Sequence, residues 1–284
     1  MKLAQKIAIN YLRAKLNILA VVSKKKAAKK AFDIFCTPYQ RSKKKSPPIF
    51  DKSEKLSFVM DNKLVKGFRW NQGGRRRILI CHGFESTCIN FDRYISGLVK
   101  HNCEVIAFDA PAHGRSEGKR ITIPMYVDLL RKISQNYGPV DAFMGHSFGG
   151  LAITHYLETL EHNDAIRTVL IAPATETVSS INSFFNLLQL DEGVRKEFDE
   201  VIFNKGGEWP SYYSIRRAMQ HINGPVLWFH DEDDDLTPLS DAIKVRNDNH
   251  PNLHFVVTTG LGHRRIYREN KVIKETIDFL TATI

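Results

Sequence analysis

Val140-Asp141-Ala142-Phe143-Met144-Gly145-His146-Ser147-Phe148-Gly149-Gly150 decides how the chain is read. An apolar segment runs into Gly-His-Ser-Phe-Gly. Beyond it, Leu151, Ile153, Tyr156, Leu157 and Leu160 recur at helical spacing. Strand, tight turn and helix form the context in which a G-x-S-x-G serine stands at the apex of a sharp bend. A serine there takes a strained backbone conformation, and side chains at Gly145 and Gly149 would collide with strand and helix. The helix that begins beside Ser147 points unpaired N–H groups and its positive dipole end toward it. By chance alone G-x-S-x-G arises in roughly one chain of this length in ten or twenty, so the context carries the argument.

The 284 residues suffice for one large domain with a real core, and 43 % hydrophobic and 25 % charged residues are ordinary for a globular chain. The net charge of +10 is concentrated at one end. Residues 1–50 hold 13 Lys or Arg against a single acid, Asp33, and the rest of the chain is near neutral. Cys36, Cys81, Cys88 and Cys103 show no C-x-x-C or metal-ligand spacing; Cys81 and Cys103 fall in or beside apolar runs as small buried hydrophobes. A reducing, cytoplasmic compartment is the expectation, with no metal and no organic cofactor. Leu16 to Val22 is too short to span a bilayer and precedes Ser23-Lys24-Lys25-Lys26 with no small-residue cleavage site, so no leader is expected.

Outward from the serine, β and α patterns alternate. Strands are expected at Ile78–Cys81, Val105–Phe108, Thr168–Ile171, Val226–His230 and Leu253–Thr258. Helices are expected at Asn90–His101, Thr122–Tyr137, near Ser240–Asn247 and near Lys271–Leu280. Two β-like runs from Glu54 to Trp70 flank Asp61-Asn62 as a hairpin. An antiparallel start followed by β/α alternation predicts an α/β fold with a mostly parallel, doubly wound sheet. Residues 174–222 interrupt it with helical, aromatic-rich sequence, a small helical cap inserted before the last two strands. The expected division is a basic amphipathic helix and linker over 1–52, with Arg41 to Pro48 as linker, and a domain over 53–284. Residues 1–35 read as helical, with Leu3, Ile7, Tyr11, Ala14, Ile18 and Val21 on one stripe and Lys2, Lys6, Arg13 and Lys24 toward the other side. That stripe can pack on the protein's own body, or residues 1–30 can lie on an anionic membrane surface. Aromatics are too sparse among the lysines to favour nucleic acid.

Three more stretches fall at strand carboxyl ends, where an acyl-transfer site needs them. His82-Gly83-Phe84-Glu85 can offer the Phe84 N–H beside that of Phe148 as an oxyanion hole. His230 to Pro238 supplies a carboxylate, and Thr259-Gly260-Leu261-Gly262-His263 supplies a base. The order Ser, Asp, His on separate loops belongs to the hydrolase fold. From Ile78 to the C-terminus the chain resembles the α/β-hydrolase family through these motifs and Asp109-Ala110-Pro111-Ala112-His113-Gly114-Arg115-Ser116. Ala112 departs from the family's frequent Gly. The resemblance implies Ser147 as nucleophile, His263 as general base and then acid, and Asp234, four residues before Pro238, as orienting carboxylate. Asp233 and Asp235 stand one register away. His82, His113 and His146 read as backbone-bonded loop histidines.

A serine nucleophile points to ester, thioester or amide substrates. Phe184, Phe185, Leu187, Leu188, Phe198, Phe203, Trp209, Tyr212 and Tyr213 are divided between the cap's own packing and an apolar acyl pocket. A carboxylic ester or thioester, cleaved through a Ser-His-Asp triad and an acyl-enzyme, is the leading expectation. The alternatives are an amidase or aminopeptidase, with Glu85 or Glu208 holding an α-amine, and a catalytically silent scaffold that binds membrane or partner.

Overall fold

A computed structural model describes residues 3–41, 45–161 and 163–282, the side chains of Leu3 and Ala4 excepted. Lys2 and residues 42–44 of the expected linker lie outside the described residues. The chain forms two compact units: Pro38–Thr175 with Ile215–Ile284, and the N-terminal stretch through Thr37 with Glu176–Ser214.

The first unit is built on one eight-stranded sheet. Its strands are β1 (Glu54–Met60), β2 (Lys63–Trp70), β3 (Arg77–Cys81), β4 (Glu104–Phe108), β5 (Ala142–His146), β6 (Arg167–Ile171), β7 (Val226–Asp231) and β8 (Leu253–Thr258). Their order is β1-β2-β4-β3-β5-β6-β7-β8. β1 and β2 pair antiparallel through a turn at Asp61 and Asn62, both at positive φ, as a two-residue hairpin that follows the strand twist requires. β2 meets β4 antiparallel, and every pairing from β4 to β8 is parallel. β4, β5 and β7 are buried at every position, so they read as continuous apolar runs rather than alternating ones. Helices α3 (Asp92–Lys100), α4 (Ile123–Tyr137), α5 (Phe148–Leu157), α8 (Ile215–Ala218), α9 (Leu239–Asn247), α10 (Gly262–Arg265) and α11 (Asn270–Thr281) belong to this unit. Parallel strands bring all their carboxyl ends to one edge, so the loops after β3, β5, β7 and β8 open there together.

The unit boundary falls after Thr37 and not at residue 52, where composition had suggested it. Phe50 explains the shift: it is fully buried in the sheet unit, its ring 5.0 Å from both Phe68 and Trp70, and Trp70 Nε1 donates to the Ile49 carbonyl. A segment read as linker is thus core at its downstream end.

The second unit joins α1 (Leu3–Val22) and α2 (Lys24–Phe35) to α6 (Thr177–Leu188) and α7 (Glu192–Gly206). The expected single helix is broken at Ser23, whose extended backbone and side chain cap α2 by accepting from Lys26 N. Phe32 and Phe35 meet Phe184, Phe185 and Phe198 in one aromatic cluster with centroids 5.1–6.3 Å apart. These three phenylalanines of the insertion are therefore spent on this unit's own core. Of the two orientations the sequence leaves open for the α1 stripe, packing inward is not the one observed within this unit. Leu16 and Ala20 are the buried side chains, while Ile7, Tyr11, Ala14, Ile18 and Val21 are exposed.

Candidate active site

Ser147 stands between β5 and α5 with φ 54° and ψ −123°, a conformation that costs a non-glycine residue on the order of 1–3 kcal/mol. The surrounding backbone holds it there. Ser147 N donates to Ile171 O at 3.1 Å, and Ser147 O accepts from Gly150 N at 3.0 Å and Ala174 N at 3.1 Å. A Cβ on Gly149 would come 2.5 Å from the Cys81 carbonyl oxygen, so only glycine lets α5 start this close to β3. A Cβ on Gly83 would lie 2.9 Å from that of Ser147, which brings the His82–Phe84 backbone against the serine. The rings of Phe84 and Phe148 meet edge-on at 6.1 Å. Neither residue's backbone N–H donates to another group among the described residues.

The loops after β7 and β8 bring Asp234 and His263 to this serine. His263 Nε2 lies 3.0 Å from Ser147 Oγ, and His263 Nδ1 lies 2.8 Å from Asp234 Oδ2. The hydrogen-bond network assigns the tautomer: Nδ1–H donates to Asp234, leaving Nε2 to accept from the hydroxyl. Both side chains are buried. Asp234 Oδ1 accepts from Leu236 N at 2.9 Å and Thr237 N at 2.8 Å, and Oδ2 accepts from Thr237 Oγ1 at 2.8 Å. Burial pushes the Asp234 carboxyl up, but the His263 hydrogen bond and charge, with the Thr237 bonds, outweigh it and hold it down at about 2. Asp234 is the acid that reaches His263, whereas Asp235 is exposed and Asp233 accepts from Gly260 N at 2.8 Å.

The acids before Asp234 have a task the sequence reading did not assign. Asp231 Oδ1 accepts from Leu261 N at 3.1 Å and Gly262 N at 2.7 Å, and Oδ2 accepts from Thr258 Oγ1 at 2.6 Å. Glu232 Oε2 accepts from Thr259 Oγ1 at 3.0 Å. Together with Asp233 they tie the β7 loop to the loop that carries His263. His230 donates from Nε2 to the Thr237 carbonyl at 2.7 Å and accepts at Nδ1 from Trp228 Nε1 at 3.3 Å, which sets the turn that presents Asp234. The available signal was a carboxylate at the end of an otherwise apolar strand, Val226–Asp231.

His82, His113 and His146 are neutral parts of the scaffold. His82 accepts from Ala110 N at 2.9 Å and donates to Gly83 O at 2.8 Å; His113 accepts from Glu85 N at 3.0 Å and donates to Pro111 O at 3.0 Å. His146 donates from Nε2 to the His263 carbonyl at 3.1 Å, with ring centroids 4.8 Å apart. Burial, then the neighbouring His263, holds His146 down at about 3, so its ring stays neutral beside His263. Asp109 is structural too: it accepts from Thr87 Oγ1, Cys88 N and Arg115 N. Ala112, where the family often has Gly, sits at φ 68°. Glu85, one candidate for holding an amine, already accepts from Tyr39 N at 2.9 Å and Gln40 N at 3.3 Å. The other, Glu208, belongs to the second unit and is exposed. Among the described residues no group of three or more His, Cys, Asp or Glu is arranged to hold a metal ion.

A sheet of this order, with a serine on the β5–α5 turn and hydrogen-bonded partners from the β7 and β8 loops, defines a class. The fold is that of the α/β hydrolases. A family model described as serine aminopeptidase, S33 matches residues 73–195. A probable serine hydrolase of Drosophila melanogaster is 27% identical over 106 residues, which cover 35% of this chain and 32% of the fly protein. This chain thus spans about a third of that relative. An uncharacterized protein of Bacillus subtilis is 24% identical over 258 residues, 81% of each chain. Among solved structures, an esterase of Pyrococcus furiosus aligns over 86% of this chain and 98% of its own, with a TM-score of 0.65 and 19% identity.

Proposed function

We propose that the protein is a serine hydrolase that cleaves carboxylic ester or thioester bonds through Ser147, His263 and Asp234. The observation that carries this reading is the continuous hydrogen-bonded chain from Ser147 Oγ through His263 to Asp234, at 3.0 and 2.8 Å. In the proposed reaction Ser147 Oγ attacks the substrate carbonyl carbon while its proton passes to His263 Nε2. Ionised Asp234 stabilises the imidazolium, and the Phe84 and Phe148 N–H groups take the tetrahedral oxyanion. Collapse expels the alcohol or thiol with the proton from His263, and water, deprotonated by the same histidine, releases the acid. The chain's own groups suffice for each step without a cofactor. An esterase among the similar folds agrees with this class of substrate.

The aminopeptidase reading, which the family model's description suggests, needs a carboxylate free to hold an α-amine; Glu85 is committed to Tyr39 and Gln40. The proposal includes a cytoplasmic setting, in keeping with four buried free cysteines, and an anionic membrane surface as partner of residues 1–30. No described helix is long and apolar enough to cross a membrane. Labelling with a fluorophosphonate, followed by assay on esters, thioesters and aminoacyl amides, tests the chemistry. Labelling at Ser147 with turnover of esters or thioesters is expected. No labelling would leave a silent scaffold, and turnover of aminoacyl amides alone would make it an aminopeptidase.

A further inference from the structure

Helix α1 has two apolar faces, and one of them is bare. The inner face is fixed within its unit by buried Leu16 and Ala20, by Arg13 donating to Leu187 O at 2.8 Å, and by Asn17 donating to Leu188 O at 3.3 Å. The opposite face carries Ile7, Tyr11, Ala14, Ile18, Val21 and Val22, which share a sector of about 100° at 100° per residue. Its large side chains are 61 % exposed at Ile7, 63 % at Tyr11, 69 % at Ile18, 90 % at Val21 and 75 % at Val22. Single exposed hydrophobes are ordinary, but a continuous stripe of this kind marks a contact surface.

Charge identifies the occupant. No Asp or Glu occurs before Asp33, whereas Lys6, Lys15, Lys24, Lys25, Lys26, Lys29 and Lys30 are all exposed on α1 and α2. A second copy of this chain would bring the same positive field against the first. An anionic lipid surface would meet both features, since apolar side chains enter the acyl boundary while lysines reach phosphates on either side. From Ile7 to Val22 the stripe is about 22 Å long at 1.5 Å per residue, and it is one side chain deep, which suits a helix lying in the plane of the headgroups.

We propose that the outer face of α1 docks on an anionic bilayer, with Ile7, Tyr11, Ile18, Val21 and Val22 inserted and the lysines of α1 and α2 over the lipid phosphates. This gives the surface partner of residues 1–30 a defined face and orientation, and it is independent of the acyl chemistry. Each lysine near such a surface contributes about fivefold to partitioning, an effect that salt screens.

The test uses the full chain with vesicles of phosphatidylcholine alone or mixed with phosphatidylglycerol, read by co-sedimentation. Binding to the mixed vesicles only is expected, with release at about 1 M salt, where the screening length falls to about 3 Å. An Ile7→Ser, Ile18→Ser, Val22→Ser triple variant keeps every charge and removes no buried contact. It should keep the parent's melting temperature and lose at least about tenfold in partitioning. Failure of the parent to bind mixed vesicles overturns the proposal, as does a triple variant that binds as well as the parent. A parent dimer that the triple variant converts to monomer would make the stripe a subunit interface and also overturn it. Fluorophosphonate labelling of both forms is a separate readout, so loss of the hydrolase reading would leave this result standing.

Discussion

At the scale of single residues, the proposed site makes separable forecasts. Ser147→Ala and His263→Ala should each remove most turnover, and the double variant should be little worse, because the two act on one proton. Asp234→Asn should slow fluorophosphonate labelling by a factor on the order of 10³ or more, through loss of the imidazole's orientation. Its stability follows from linkage. The carboxyl is held at about 2, below its ordinary 3.8, so its contribution is complete above pH 3.8 and is lost as pH falls through 2. That contribution is about 2 kcal/mol. The Asn variant should therefore trail the parent in urea unfolding near neutral pH, with the gap closing between pH 4 and 2; a constant gap would contradict the assignment. Asp231→Ala leaves Leu261 and Gly262 N–H without their acceptor and frees the loop that carries His263. A loss of about 10- to 100-fold in kcat with KM little changed is expected, since small misplacement of a base costs that much. Exposed Asp235→Ala should be silent, and equal losses at both positions would remove Asp231's positioning role.

At the scale of elements, the aromatic cluster of α2, α6 and α7 carries the clearest forecast. Phe198 is fully buried and meets Phe32, Phe35, Phe184 and Phe185. Phe198→Ala should cost about 3–5 kcal/mol, while Ser23→Ala, which removes the cap of α2, should cost about 1 kcal/mol. Urea or thermal unfolding of each variant checks the ranking. Elements of the sheet unit were legible in the sequence because parallel strands buried on both faces are continuous apolar runs bounded by polar turns. Ile78–Cys81, buried throughout, differs from its strand by one residue, while the half-buried edge strand Leu253–Thr258 agrees to the residue through its apolar and β-branched content. The same reading left open which way the stripe of α1 faces. Its two apolar faces have the same spacing, and only the position of α6 in space decides that Leu16 faces inward rather than Ile18. The break at Ser23 was hidden because lysines and alanines sustain helical propensity across it. The row of acids from Asp231 to Asp235 was visible, but its division of labour depends on which backbone N–H groups the last loop presents, and no local pattern encodes that.

At the scale of the molecule, buried neutral histidines set the pH response. Burial holds His113 and His146 down at about 3 and lowers His82 and His230 as well. Unfolded histidines take up protons below about 6.5, and these folded ones do not, so stability falls as pH drops from 6.5 toward 3. His113 and His146 together contribute up to about 3 kcal/mol per pH unit across that window. The urea midpoint should fall steadily from about pH 7 to about pH 5, and a flat profile would mean that these imidazoles are solvated.

The assembly of α1 and α2 with α6 and α7 also bears on synthesis. Phe32 leaves the ribosome roughly 170 residues ahead of Phe198, an interval of about 8–30 s at usual elongation rates. During that time a lysine-rich helical pair stands without the cluster that later covers its inner face. It is open to a chaperone, or to any surface that favours basic amphipathic helices. Because the outer stripe of α1 is complete in the nascent chain, whatever it docks on can be engaged before the sheet that carries Ser147 has been finished.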